Sequence, residues 1–214
     1  ALVKDIQYRL AVSEASVIVT DEDDTWKVDQ VLAECPSVRH RIVVGRAGGG
    51  WLEYEALMAR ASDRLAPPHN ASADPMMIYF TSGTTGLPKM VLHTHASYPI
   101  GHVITGRYWL DNTPSDLHWT ISDTGWAQVA WTHFFGPWNM GAAIFVWDAR
   151  GKKFEPAQTL EMLERFPITT FFAPPTAYRM FVQEPLRKYR FATLRHCMGA
   201  GEAVNPEVID AWRE

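Results

Sequence analysis

Apolar runs of strand length recur along this chain, at residues 16–20, 41–44, 76–81, 117–121, 142–147, 168–173 and 194–198, and segments of helical periodicity separate most of them. Strands that alternate with helices are joined by crossovers rather than tight turns, and crossovers make neighbouring strands parallel. The pattern therefore predicts an α/β fold, a mostly parallel sheet covered by helices. Trp51, Tyr54, Glu55 and Met58 mark one helix with a mixed face, and Leu160, Leu163 and Phe166 mark another with an apolar stripe. Pro156 falls at the first turn of the second, where its missing N–H costs nothing. Trp126, Trp131, Phe134, Phe135 and Trp138 also have helical spacing, and core packing is the default reading for most of them. Two passages look like linkers, Arg46-Ala47-Gly48-Gly49-Gly50 and residues 66–75. The second places the domain boundary: residues 1–70 close a first α/β subdomain, and residues 71–214 form a second.

Composition narrows the class of partner. With 214 residues, 47% of them hydrophobic, the chain can bury a sizeable core. Its net charge of −4 is spread without a basic face, which argues against nucleic acid and anionic membranes and for a small-molecule substrate. Cys35 and Cys197 form no CxxC pair and read as core thiols in a reducing compartment. No apolar run approaches the ~18 residues of a membrane span, and the first twenty positions carry Lys4, Asp5, Arg9 and Glu14. A cytoplasmic location is expected, with an organelle matrix left open. The chain starts without Met and stops inside an amphipathic helix at Ala211-Trp212-Arg213-Glu214, which reads as a fragment.

The chemistry is carried by Thr81-Ser82-Gly83-Thr84-Thr85-Gly86-Leu87-Pro88-Lys89, which follows the strand at 76–81. Glycines let the backbone approach an anion closely and turn consecutive N–H groups toward it. Hydroxyls at Ser82, Thr84 and Thr85 can donate to phosphate oxygens, and Thr84 and Thr85 can reach a magnesium ion. Pro88 stiffens the exit, and Lys89 brings a compact positive charge to the β- or γ-phosphate. The spacing is not that of the Walker A loop, because Gly83 and Gly86 are three apart and Pro88 precedes the lysine.

This stretch resembles the signature loop of the adenylate-forming superfamily, which includes acyl-CoA synthetases, firefly luciferase and peptide-synthetase adenylation domains. Ile78-Tyr79-Phe80 before the loop, Lys89-Met90 after it, Trp119-Thr120-Ile121-Ser122-Asp123-Thr124-Gly125-Trp126, and Gly201-Glu202 with Asn205-Pro206-Glu207 are similar to the medium-chain acyl-CoA synthetases, with acetyl-CoA synthetases next. The resemblance implies that residues 81–89 bind ATP phosphates, that Trp126 gates an acyl pocket walled by Ala127 and Gln128, and that Gly199, Ala200, Gly201 and Glu202 border both acyl group and adenine. It implies two steps: a carboxylate attacks the α-phosphate to give acyl-AMP and pyrophosphate, and the thiol of coenzyme A then displaces AMP. Preplaced N–H groups, Lys89 and magnesium would favour the charge that moves onto pyrophosphate. Beyond Glu214 the resemblance leads one to expect an aromatic-Gly-x-Thr-Glu segment, a ribose-binding Asp, a hinge and a C-terminal lid with a catalytic lysine. Without these partners the chain alone is expected to be inactive.

Other signals point elsewhere or nowhere. Asp123-Thr124-Gly125 matches the triplet of aspartic peptidases, but no second copy supplies the paired carboxylate; its structural reading is a turn in which Asp123 or Thr124 caps a helix starting near Trp126. A nucleotide-binding module without turnover is a further alternative. His93 and His95 could project together like a metal pair, yet no third ligand is near, and a loop-exit role is favoured. His133 reads as a satisfied core histidine. Gly199 and Gly201 lack the third glycine of a dinucleotide fingerprint.

Overall fold

A computed structural model describes residues 1–81, 86–149 and 153–213. They fall into two compact units, Ala1–Asn70 with Ile78–Leu92, and Ala71–Met77 with His93–Glu214. The first unit runs α1 (Val3–Ser13), β1 (Val17–Asp21), α2 (Thr25–Asp29), β2 (His40–Val44), β3 (Leu52–Glu53) and α3 (Tyr54–Arg60). Its three strands lie in the order β1-β2-β3, parallel throughout. The expectation that Trp51 belongs to the following helix is corrected here: Trp51 precedes β3, is buried with Val28 and Val43, donates its indole N–H to Asp29 (3.1 Å) and lies under the Arg41 guanidinium. Burying so large a ring against Val28 of α2 and Val43 of β2 outweighs its helical spacing. Strands β4 (Pro75–Thr81) and β5 (Lys89–Thr94) form a separate two-stranded sheet. The sequence reading had no strand at β5, where the first four residues are all exposed and show no alternation.

The second unit opens with α4 (Ser97–Ile104), which continues into a π-helical turn at Thr105–Trp109. After β6 (Leu117–Thr120) come α5 (Ala127–Val129), a π-helical stretch at Ala130–Phe135 and α6 (Gly136–Asn139) without a break. The remainder is β7 (Ala143–Ile144), α7 (Pro156–Arg165), β8 (Thr170–Phe172), α8 (Pro175–Phe181), β9 (His196–Met198) and α9 (Pro206–Arg213). The strands lie in the order β7-β6-β8-β9, all parallel, as the alternating pattern predicts. Pro156 is the first residue of α7, and Phe166 caps its end. The strand expected over 142–147 shortens to two residues. β7 is an edge, so beyond Phe145, whose N–H still reaches the His118 carbonyl at 2.8 Å, no strand among the described residues continues the ladder on the outer side.

Because neighbouring strands are in register, the sheet sorts its residues cleanly onto two faces. Trp119 and Phe171 point to one face, where Leu160 and Leu163 of α7 and Ala177, Tyr178 and Phe181 of α8 complete the main core. His118, Thr120, Thr170, Phe172, His196 and Met198 share the other face, against the π-helical segments. This second face is unusually polar. His118 is fully buried between the hydroxyls of Thr170 (2.8 Å from Nδ1) and Thr120 (2.9 Å from Nε2), and Thr170 also accepts from the Asn112 amide at 2.9 Å.

The two π-containing helices meet at Gly106 and Gly136, where a Cβ on Gly106 would fall 2.2 Å from the Gly136 carbonyl oxygen. Only glycine allows that approach. At the amino ends of the strands stands a charged clamp made by Asp116, Thr169 and Arg195, the residues immediately before β6, β8 and β9. Asp116 accepts from Thr169 Oγ1 (2.7 Å), from Arg195 Nε (3.0 Å) and Nη2 (2.7 Å), and from the Thr113 N–H and hydroxyl, while Arg195 also pairs with Asp111 at 2.6 Å. Burial alone would raise the Asp116 carboxyl, but the hydrogen bonds from Arg195, Thr169 and Thr113 hold it well below the usual carboxylate range.

Candidate active site

The phosphate-loop residues belong to the β4–β5 connection. Thr81 ends β4 and Lys89 begins β5, with the Thr81 hydroxyl 3.5 Å from the Lys89 carbonyl. Ser82, Gly83, Thr84 and Thr85 lie outside the described residues, and with them the magnesium contacts read for Thr84 and Thr85. Gly86 has φ of +127°, a conformation that favours glycine, and a Cβ there would meet nothing within 4 Å. Leu87 and Lys89 are exposed, and Pro88 is half-buried. An open glycine beside an exposed ammonium suits an anion such as a nucleotide phosphate. The connection is braced by residues with no motif of their own: the Tyr8 hydroxyl donates to the Pro88 carbonyl at 2.9 Å, and the Arg9 guanidinium lies 5.7 Å from the Phe80 ring. A contact eighty residues away in sequence leaves no local signal.

In the second unit the remaining candidates collect at the carboxyl ends of the strands. Trp126, Ala127 and Gln128 follow β6; Gly199, Ala200, Gly201 and Glu202 follow β9. Ligands of open α/β sheets sit at this end. Trp126 is 69% exposed, Ala127 is exposed as well, and Gln128 is half-buried. Neither Asp123 nor Thr124 caps the helix, contrary to expectation: Trp126 occupies the N-cap position with no side-chain cap, and Asp123 Oδ1 accepts from the Gly125 N–H at 2.6 Å. Asp123 thus closes its own turn, because an Asx turn two residues long is nearer than the helix start.

Gly199 and Ala200 are half-buried, and Gly201 has φ of +97°. Glu202 is exposed and paired with Arg179 of α8. Of the aromatic cluster read as core, Trp138 departs: it is 57% exposed on the short α6, whose inner face is taken by Gly136 and Pro137. Trp131 and the Phe134–Phe135 pair do pack, Trp131 against His102 and Trp109, and Phe135 against Tyr98.

His133 is buried as expected, but its Nδ1 has no partner, so it is not the satisfied histidine the sequence reading supposed. It lies on the buried side of the π-helical stretch, next to the fully buried Thr132. Burial pushes His133 down to about 4 and His118 down to about 3, the latter helped by the neighbouring His133 and opposed by the Thr132 backbone. Both rings are neutral at pH 7. Among the described residues no group of three His, Cys, Asp or Glu could hold a metal, and no helix is long and apolar enough to cross a membrane. Cys35 is buried, Cys197 is half-buried, and both are free thiols.

The chain belongs to the AMP-binding enzyme family, whose model matches residues 3–214. Among curated relatives it is 44% identical over 212 residues to the mitochondrial acyl-coenzyme A synthetase ACSM3 of Mus musculus, and 44% identical over 211 residues to mitochondrial ACSM4 of Homo sapiens. These alignments cover 99% and 98% of the chain; the chain spans 36% of the length of each relative. Among solved structures, the acyl-CoA synthetase of Brucella canis superposes with a TM-score of 0.83 at 27% identity, over 98% of this chain and 38% of that one. The anthranilate CoA ligase AuaEII in complex with anthranoyl-AMP superposes with a TM-score of 0.86 over 100% of this chain and 41% of that one; at 23% identity it shares the fold.

Proposed function

We propose that this chain carries the phosphate loop and the acyl-binding strand ends of an ATP-dependent acyl-CoA synthetase of the medium-chain type. The observation that carries the reading is the placement of residues 126–128 and 199–202 beyond the carboxyl ends of strands β6 and β9 in one parallel sheet. The relatives' names, acyl-coenzyme A synthetase, support the reaction.

In this reading Thr81, Gly86 and Lys89, with the loop between them, hold the ATP phosphates, and Trp126, Ala127 and Gln128 face the acid. Gly199, Ala200, Gly201 and Glu202 border acyl group and adenine. Bound ATP supplies an electrophilic α-phosphate and a pyrophosphate leaving group. Lys89 contributes a fixed positive charge where negative charge grows, which lowers the barrier more than it tightens ground-state binding. Magnesium at Thr84 and Thr85, and coenzyme A as the acceptor of the second step, complete the proposal. The relatives are named mitochondrial, and a matrix location is proposed in place of the cytoplasmic one.

The test is thioester formation by the full-length gene product, followed by mass spectrometry with ATP, coenzyme A and a panel of carboxylic acids. Acyl-CoA and AMP should appear together and only when all three substrates are present. Lys89→Ala should lower kcat about 100-fold, and Trp126→Ala should shift preference toward longer or bulkier acids. Tight ATP binding without AMP release for any acid would replace the synthetase by a nucleotide-binding module.

A further inference from the structure

The turn that leaves β9 does little to hold its own shape. Among the described residues, residues 199–204 make no backbone hydrogen bond, and Gly201, at φ of +97°, has nothing within 4 Å of where a Cβ would stand. A segment like this, pivoting on an open glycine, takes its shape from whatever grips it on either side. On the strand side the grip is firm. The hydroxyl of the buried Tyr178, in α8, donates at 3.0 Å to the carbonyl of Met198, the last residue of β9. A Cβ on Gly199 would fall 3.2 Å from the Ala173 carbonyl oxygen and 3.6 Å from the Tyr178 ring, and Ala200 packs against the cluster of Leu110, Phe172 and Met198.

Past Gly201 the grip passes to the next residue of α8. Arg179 Nη2 donates to Glu202 Oε2 at 2.5 Å, and among the described residues this is the one side-chain hydrogen bond that residues 199–204 make. The two neighbours on α8 have different consequences. Tyr178 belongs to the main core, whereas the Arg179 and Glu202 side chains are 38% and 53% exposed, and an ion pair that open adds little to stability. What the pair does supply is position, because it ties the far arm of the glycine pivot to a helix that is itself packed into the core.

We propose that Arg179 is a positioning residue for the nucleotide, acting through Glu202 to keep the turn after β9 in the shape that accepts adenine. This rests on the synthetase reading above, in which residues 199–202 border the adenine. With the tie broken, the turn beyond Gly201 is ordered only when ATP arrives, so the cost of ordering it falls on binding. The chemical step starts from a turn already in place. The loss therefore appears in KM for ATP and not in kcat.

The experiment measures kcat and KM for ATP of the full-length gene product, with the most active acid of the panel above held saturating. It compares wild type, Arg179→Ala, Arg179→Lys, Glu202→Gln and the double variant Arg179→Ala with Glu202→Gln, each checked by thermal melting. Arg179→Ala should raise KM for ATP about two- to fivefold, with kcat and Tm little changed, and Arg179→Lys should recover part of the loss. The double variant should be no worse than the poorer single one, since both remove the same contact. In about 1 M KCl, where the screening length is about 3 Å, the gap between wild type and Arg179→Ala should narrow. A merely structural arginine would lower kcat and Tm together; that outcome, an unchanged KM for ATP in Arg179→Ala, or single effects that add in the double variant overturns the tie while leaving the synthetase reading intact. Wild type that makes no thioester from any acid overturns both.

Discussion

The crossing of the two π-containing helices can be tested by a single methyl group. A Cβ at Gly106 would fall 2.2 Å from the Gly136 carbonyl oxygen and 2.9 Å from its carbon, and ordinary contact begins near 3.4 Å, so the backbones must part by about 1 Å. Overpacking of that kind costs about 1–3 kcal/mol, while alanine gains about 0.5–1 kcal/mol over glycine in a helix. The net loss for Gly106→Ala is about 1–2 kcal/mol, which lowers Tm by about 2–8 °C for a chain of this size. Gly101 supplies the control. It sits in α4 on the same helix, and a Cβ there meets nothing within 4 Å. Gly101→Ala should therefore raise Tm by about 1–4 °C. Circular dichroism melts of wild type and the two variants decide the matter. Gly106→Ala melting at or above wild type, or both variants moving in one direction, would refute the close crossing.

Acid should destabilise the second unit in two stages. His118 and His133 have folded-state values depressed to about 3 and about 4, so the unfolded chain takes up their protons first. Their contribution is complete above the ordinary histidine value and declines as pH falls below it, by about 2 kcal/mol per ring at pH 5. Urea midpoints at pH 7.5 and 5.0 measure this, and His133→Leu should roughly halve the difference; a flat profile would mean the rings are not buried neutral. Asp116 is depressed in the folded state, so its contribution is intact above ordinary carboxylate values and is lost only below about pH 4. Thr170→Val removes the partner of both Asn112 and His118, and since the Asn112 Oδ1 already lacks one, it should cost about 1–3 kcal/mol by the same denaturation assay.

Where local chemistry decided structure, the sequence was readable. The apolar runs near 117, 168 and 194 are central or adjacent strands, and α7 starts at its proline. Where long-range pairing decided, it was not. β5 pairs with β4 while exposing most of its residues, and β3 is only two residues long, so neither shows a pattern. The π-helical segments share the apolar spacing of an α-helix, and nothing in Ala130–Phe135 distinguishes the two windings. The candidate site divides in the same way. Trp126 and the strand-end glycines could be picked out one by one, but their gathering at one end of a single sheet depends on strand order and register, which leave no local mark.

The clamp of Asp116, Thr169 and Arg195 grips the sheet at the end opposite the candidate site. The stagger of β6, β8 and β9 is thereby held from the far side, so the turns after β6 and β9 can vary without loosening it. That makes this unit a chassis for engineering. Loops 121–126 and 199–205 can be exchanged with those of synthetases for other acids, and grafts that keep the three clamp residues should stay folded where grafts that disturb them do not.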